Sequence, residues 1–298
     1  MAASIVTDKL TKRYGHTEAL ALDKLSISIA EGEIYGFLGA NGAGKSTTIR
    51  LLMNFLQPTS GSAQIMGYDS VKRSARLKSE VGYLAGEVAL YPKVTGRELL
   101  DYLSRLQRKV DKKYRRQLEQ RFEAELDKPI GALSKGNRQK IGILQAFMHQ
   151  PQVLILDEPT SGLDPLMQEA FYETLRESKQ RGAAVLMSSH NLDEAQRVCD
   201  RVGIIKQGKL IREQSVGGSL LGAPIFTVTF HDPSALMSLK KASTVKLIKQ
   251  EGNRTANLQP TRSIAEALAT LARYDIQKLE SRSVSLEDEF LEFYGGEE

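Results

Sequence analysis

The sequence predicts an α/β fold built on a buried parallel sheet, and three stretches carry that expectation. Ile34–Leu38 is almost continuously apolar and runs straight into a glycine-rich loop, as a strand covered on both faces does. Two further apolar runs, residues 153–156 and 184–187, flank a stretch of helical periodicity from 165 to 180. Strand, helix and strand in that order need a crossover, and crossovers join parallel strands.

The opening third reads as short strands at 4–10 and 25–29 before the run at 34–38. Residues 25–29 alternate Leu, Ser, Ile, Ser, Ile, the pattern of a strand with one face in water. Residues 45–55 have helical spacing, stopped by Pro58. From Thr95 to about Lys128 the pattern is helical and strongly basic, with Arg105, Arg108, Lys109, Lys112, Lys113, Arg115 and Arg116. A solvated helical face accounts for such a run; a patch that meets a partner or a lipid surface is the alternative. Residues 202–206 and 209–212, joined by Gln207-Gly208, predict a hairpin.

Gly217, Gly218, Gly222 and Pro224 mark a linker that divides the chain into residues 1–215 and 216–298. The second part predicts a small α+β domain. Its elements are a strand at 225–230, a helix at 233–241, a strand pair around Gly252-Asn253, a helix at 264–274, a strand at 276–280 and a last helix at 286–294.

The 298 residues are 41% hydrophobic and 26% charged, enough for a large domain and a smaller one, each with a core. No apolar run approaches the roughly 18 residues of a membrane helix, and residues 1–10 lack the apolar centre of a secretory signal. Work at a membrane is therefore expected from its cytoplasmic side, through a partner. One cysteine, Cys199, excludes an intrachain disulfide and reads as a small buried hydrophobe. The net charge of +5 suits a phosphate ligand or an anionic surface and is too small to argue for nucleic acid.

The chemistry sits in two places. Gly39-Ala40-Asn41-Gly42-Ala43-Gly44-Lys45-Ser46, followed by Thr47, matches the P-loop pattern in full, with a strand before it and a helix after it. Its glycines let backbone N–H groups curl around phosphate oxygens, and the helix N-terminus adds its positive dipole end. Lys45 offers a charge to the β- and γ-phosphates, and the Ser46 hydroxyl a ligand to Mg²⁺. The run 153–156 ends in Asp157 and Glu158. Asp157 is placed to complete the Mg²⁺ shell, and Glu158 to polarise an attacking water.

Further motifs narrow the class. Leu133-Ser134-Lys135-Gly136-Asn137-Arg138-Gln139 resembles the L-S-G-G-Q signature of ATP-binding cassette (ABC) proteins and lies 23 residues before Asp157. Ser161-Gly162-Leu163-Asp164 is similar to the family's D-loop, His190 to its switch histidine, and Tyr14 to the aromatic that stacks on adenine. The resemblance covers about residues 4–212. It implies a P-loop (RecA-like) ATPase core with an antiparallel β subdomain, a helical subdomain at about 88–150, and ATP and Mg²⁺ as ligands. It also implies a head-to-tail dimer on an integral membrane permease, in which Ser134 and Gly136 contact the γ-phosphate of ATP on the opposite copy. Ser134 reads equally as a helix N-cap. No direct nucleic-acid binding is expected.

Two departures stand out. Lys135 and Asn137 replace the commonest Gly and Gln of the signature, while Ser134 and Gly136 are kept. Gly86, in Val81-Gly82-Tyr83-Leu84-Ala85-Gly86-Glu87, occupies the position of a glutamine that in the family reaches Mg²⁺ and the attacking water. That contact is then missing or water-filled, unless Glu87 replaces it. Leu90-Tyr91-Pro92 and Glu98-Leu99 match the stretch that helps dock the membrane partner in the family. Residues 284–291 resemble the accessory domain of bacterial drug, antibiotic or lipid exporters; a plain stabilising or dimerising module is the alternative there. The expectation is an ATPase subunit of an exporter, with a soluble ABC-type ATPase acting on nucleic acid or ribosomes as runner-up.

Overall fold

A computed structural model describes residues 3–15, 19–88, 90–107, 110–216, 224–239 and 242–282. The chain divides into two compact units, Met1–Val216 and Gly217–Glu298.

The first unit begins with β1 (Ala3–Arg13), β2 (Leu20–Leu25), β3 (Ser28–Ala30), β4 (Ile34–Leu38), α1 (Lys45–Leu52), β5 (Ser60–Ile65), β6 (Tyr68–Asp69), α2 (Ser74–Glu80) and β7 (Val81–Leu84). There follow α3 (Gly96–Leu106), α4 (Lys112–Phe122), α5 (Lys135–Phe147), β8 (Val153–Asp157), α6 (Pro165–Gln180), β9 (Ala184–Ser189), α7 (Leu192–Val198), β10 (Arg201–Lys206) and β11 (Lys209–Ser215). One sheet has the order β11-β10-β4-β9-β8-β7. Its strands β10, β4, β9, β8 and β7 are parallel, and only the edge strand β11 runs antiparallel. Every residue of β4, β8 and β9 is buried, which is why those runs carry no polar alternation.

A second, antiparallel sheet joins β2, β1, β5 and β6, with β3 also paired to β1. The single strand expected over 25–29 is instead the end of β2 and the start of β3. The break has a local cause. The Thr7 hydroxyl donates to the Leu25 carbonyl at 3.0 Å and accepts from the Ile27 N–H at 3.0 Å, so a side chain from β1 bridges the break beside the Thr7 N–H bond to the Ile27 carbonyl. The antiparallel sheet and the parallel one share an apolar core through Ile5, Leu22, Ile65, Phe37, Ile49 and Leu52.

The expected helix at 45–55 stops at Leu52, because Asn54 turns left-handed at φ 52°. The single helical stretch from Thr95 resolves into α3 and α4. Thr95 opens α3 with a reciprocal capping box to Glu98, and Asp111 caps α4, two caps of about 1 kcal/mol each. The Arg121 guanidinium meets the Glu177 carboxylate at 2.8 Å and so ties α4 to α6. At the hairpin between β10 and β11, Gln207 (φ 49°) and Gly208 (φ 78°) are both left-handed, the backbone of a two-residue turn. Cys199 is buried just after α7, rather than within a helix.

The second unit contains β12 (Ile225–Phe230), α8 (Ser234–Leu239), β13 (Val245–Glu251), β14 (Thr255–Pro260), α9 (Ile264–Leu271) and β15 (Ile276–Arg282). Its sheet is antiparallel in the order β13-β14-β12-β15. Phe226, Val228, Phe230 and Leu258 on the sheet pack with Leu236, Ala267 and Leu271 on the helices. The linker glycines at 217, 218 and 222 and the helix expected at 286–294 lie outside the described residues.

Candidate functional site

Parallel register sets the site. Leu38, the last residue of β4, pairs with Ser189 of β9, and Asp157 of β8 pairs with Ser188. The carboxyl ends of three neighbouring buried strands therefore release the P-loop, Asp157-Glu158 and His190 at one edge. Open α/β sheets bind ligands at this edge.

The loop from Gly39 to Thr47 turns tightly out of β4 into α1. A side chain at Gly39 would stand 2.6 Å from the Ile205 carbonyl oxygen, closer than any real contact. Gly44 precedes the first helical residue at φ 116°, a conformation closed to ordinary L-residues. The Lys45 Nζ folds back on the loop, donating to the Gly39 carbonyl at 2.6 Å, and is only 6% exposed. Asn41 and Gly42 are exposed at the loop tip, Ala43 is buried beneath it, and Ser46 and Thr47 are half-buried.

Asp157 is 7% exposed, and its Oδ1 accepts from the Ser188 hydroxyl at 2.5 Å. The same hydroxyl oxygen accepts from the Glu158 N–H at 3.0 Å. Glu158 has φ 47°, an uncommon backbone for a residue with a Cβ and a cost of about 1–3 kcal/mol. The strained turn aims its carboxylate between the Lys45 ammonium and the His190 ring. Oε1 lies 3.4 Å from the Lys45 Nζ, and Oε2 lies 2.7 Å from the His190 Nδ1.

Asn41, Ser46, Asp157, Glu158, Ser161 and His190 line one cleft, with Arg50, Tyr83, Gly86 and Glu87 on its walls. The donor set of Ser46 hydroxyl and Asp157 carboxylate consists of hard oxygens, which suits Mg²⁺. A side chain at Gly86 would stand 3.3 Å from Asp157 Oδ2, so the residue that replaces the family's glutamine lies directly against this carboxylate. Tyr14 follows β1, and its hydroxyl is 3.4 Å from the Thr47 hydroxyl, so an exposed ring stands beside the P-loop helix.

The other signature residues are elsewhere. Ser134 caps α5, accepting from the Asn137 N–H at 3.1 Å, and Asp164 caps α6 in the same way at 3.0 Å. Neither Ser134 nor Gly136 lines the cleft of its own chain. Both of the signature's unusual residues have partners. Lys135 donates to the Ser161 hydroxyl at 3.0 Å, while the Asn137 amide bonds both the N–H and the carbonyl of Glu125.

Sequence reasoning passed over Ser188, Arg50, Tyr83 and Glu194. Arg50 could have been found, since it lies four residues after Ser46 on one helix face. Burial and the Asp157 charge push the Tyr83 hydroxyl pKa up. Glu194, in α7, is 3% exposed and accepts from the Ser189 hydroxyl at 2.6 Å; burial raises its pKa.

The family model for ABC transporters matches residues 22–161. The bacitracin transport ATP-binding protein BcrA of Bacillus licheniformis is 36% identical over 219 residues, 72% of this chain and 70% of that protein. The ABC transporter ATP-binding protein NatA of Bacillus subtilis is 38% identical over 64% of this chain and 80% of its own length. The uncharacterised ABC transporter ATP-binding protein YhaQ of the same organism is 32% identical across 98% of both chains. Among solved structures, an ATP-binding subunit of an ABC transporter superposes with a TM-score of 0.66 at 29% identity, over 80% of this chain and 95% of that one. A dimeric ATP-binding cassette bound to ADP and Pi has the same fold, with a TM-score of 0.66 at 23% identity over 72% of this chain and 99% of that one. Among the described residues no helix is long and apolar enough to cross a membrane. With its P-loop, its strand-end carboxylates and its relatives along the whole length, the chain belongs to the ABC transporter family, as one of its ATP-binding, ATP-hydrolysing subunits.

Proposed function

We propose that this subunit works as a head-to-tail pair on an integral membrane permease, and that closure of the pair on ATP drives export of a drug-, antibiotic- or lipid-like molecule. One observation carries the composite site. The P-loop, Asp157, Glu158 and His190 share a cleft, while Ser134 and Gly136 of the same chain stand outside it. A second copy would bring its own Ser134 and Gly136 to the open side of that cleft, with Asp164 between the two signatures.

The roles follow from position. The backbone amides from Asn41 to Thr47 cradle the phosphates, Lys45 neutralises them, and Tyr14 stacks on the base. Ser46 and Asp157 would hold Mg²⁺, which would neutralise phosphate charge when bound. Glu158 takes the proton of the attacking water, and His190 orients Glu158 through their 2.7 Å contact. Lys45 moves from the Gly39 carbonyl and Glu158 to the phosphates, leaving Glu158 to the water.

Residues 1–215 form the ATP-binding domain in this reading and 216–298 the accessory domain. The groove lined by Leu90, Tyr91, Leu99 and Leu103 is the permease seat, so the subunit sits on the cytoplasmic face of the membrane. The names of the bacitracin transport and multidrug transporter relatives support a drug- or antibiotic-like cargo. Ser134→Arg tests the shared site. Steady-state ATPase is expected to fall at least tenfold while nucleotide binding by the monomer stays unchanged, and unaltered turnover would count against a site built from two chains.

A further inference from the structure

The basic residues of α3 and α4 are not scattered. Arg115 is the inward one: its guanidinium meets Asp101 at 2.6 Å and Glu119 at 2.7 Å. Those contacts neutralise it and hold the first turns of α4 beside the second half of α3. Arg105, Lys112, Lys113 and Arg116 are all exposed, and none of them forms an ion pair among the described residues. Beside Arg105 on α3, Tyr102 and Leu106 are 58% and 60% exposed and lie one turn apart on the same face.

A merely solvated face does not call for an exposed tyrosine and leucine one turn apart on α3, beside a helix whose first turns carry three unpaired cations. Long basic side chains around an amphipathic ring and an aliphatic group are what a headgroup layer accommodates. The charges meet lipid phosphates while the ring and the leucine enter the boundary. Nucleic acid is less well matched, since the patch is flanked by Asp101 and Glu119 and offers one exposed ring rather than a series.

We infer that the surface formed by Tyr102, Arg105, Leu106, Lys112, Lys113 and Arg116 binds anionic lipid headgroups directly, giving the subunit a membrane contact of its own besides the permease. The orientation agrees with the proposed permease seat, because Leu99 and Leu103 on the neighbouring stripe of α3 line that groove. The contact itself needs no permease, so the two readings fail separately.

The test is cosedimentation of the purified full chain with vesicles of phosphatidylcholine alone, or of phosphatidylcholine mixed with phosphatidylglycerol. Binding is expected only to the anionic vesicles and is expected to be lost in about 1 M salt, where the screening length falls to about 3 Å. Each basic residue contributes about fivefold. Lys112→Gln, Lys113→Gln and Arg116→Gln together should therefore weaken binding roughly a hundredfold, with ATPase activity reporting that the variant has folded. Tyr102→Ser with Leu106→Ser is the second variant and should weaken binding to the same vesicles. Equal binding to both vesicle types, or undiminished binding by the triple variant, would overturn the inference. So would a chain that ignores vesicles but is retained on DNA, or whose permease complex alone is loosened by the triple variant.

Discussion

The Nδ1 of His190 lies 2.7 Å from Oε2 of Glu158, and the other oxygen of that carboxylate faces the Lys45 Nζ at 3.4 Å. Three residues from three separate segments thus meet at one carboxylate, two of them on the third. Lys45 comes from the loop after β4, Glu158 from the turn after β8 and His190 from the turn after β9. The positive φ of Glu158 is the backbone cost of that meeting. In the proposed mechanism a phosphate draws Lys45 away and so changes the charge around Glu158.

Ser188 holds this corner together. It is fully buried, donates to Asp157 Oδ1 and accepts from the Glu158 N–H. Ser188→Ala leaves two buried polar groups without this partner, at a cost of about 1–3 kcal/mol. A melting temperature lowered by several degrees is expected, together with a raised Mg²⁺ requirement for ATP turnover. Thermal unfolding and a Mg²⁺ titration of the ATPase would check both.

Gly86 lies against Asp157 in this chain. Its missing Cβ would stand 3.3 Å from Oδ2, tight enough that one group must give way. Asp157 is pinned on its other oxygen by Ser188, so the adjustment falls on the backbone at residue 86 or strains the Asp157 carboxylate. Gly86→Gln, which installs the family's usual residue, is therefore expected to lower kcat several-fold. A rise in kcat would show that the site has room for the glutamine.

His149, just past α5, contributes a pH dependence of folding. Both ring nitrogens are buried without a well-formed hydrogen bond, and burial lowers the pKa from 6.5 to about 4, with only partial compensation from the Val81 backbone. The sign follows directly. The unfolded chain takes up this proton first, so the stability is fully present above about pH 6.5, falls as the pH drops towards 4, and levels off below that. The difference amounts to about 3 kcal/mol. His149→Gln should flatten that part of the curve, as read from urea midpoints across the range.

The sequence made some of this legible and hid the rest for physical reasons. Fully buried parallel strands have no alternation to be misread, so β4 and β8, and the groups they release, were expected close to where they lie. His190 follows β9 for the same reason. Ser188 was invisible because its role arises from the register of β8 against β9, which neither strand encodes alone. The break between β2 and β3 depends on the Thr7 hydroxyl, eighteen residues from the carbonyl it takes. Short elements with wet faces, such as β5, β6 and α2, carry too few apolar positions for periodicity to mark them. The signature's departures became intelligible only when Lys135 met Ser161 and Asn137 met Glu125.

Glu158→Gln bears most directly on the composite site. The amide keeps the size of the side chain and removes the base, so ATP should bind without being cleaved. With ATP and Mg²⁺ the purified variant is expected to elute as a dimer on size-exclusion chromatography. It should revert to monomer when nucleotide is removed and turn over ATP at a small fraction of the wild-type rate. A variant that hydrolyses ATP near the wild-type rate, or that stays monomeric with ATP bound, would contradict the account of a shared site with Glu158 as its base.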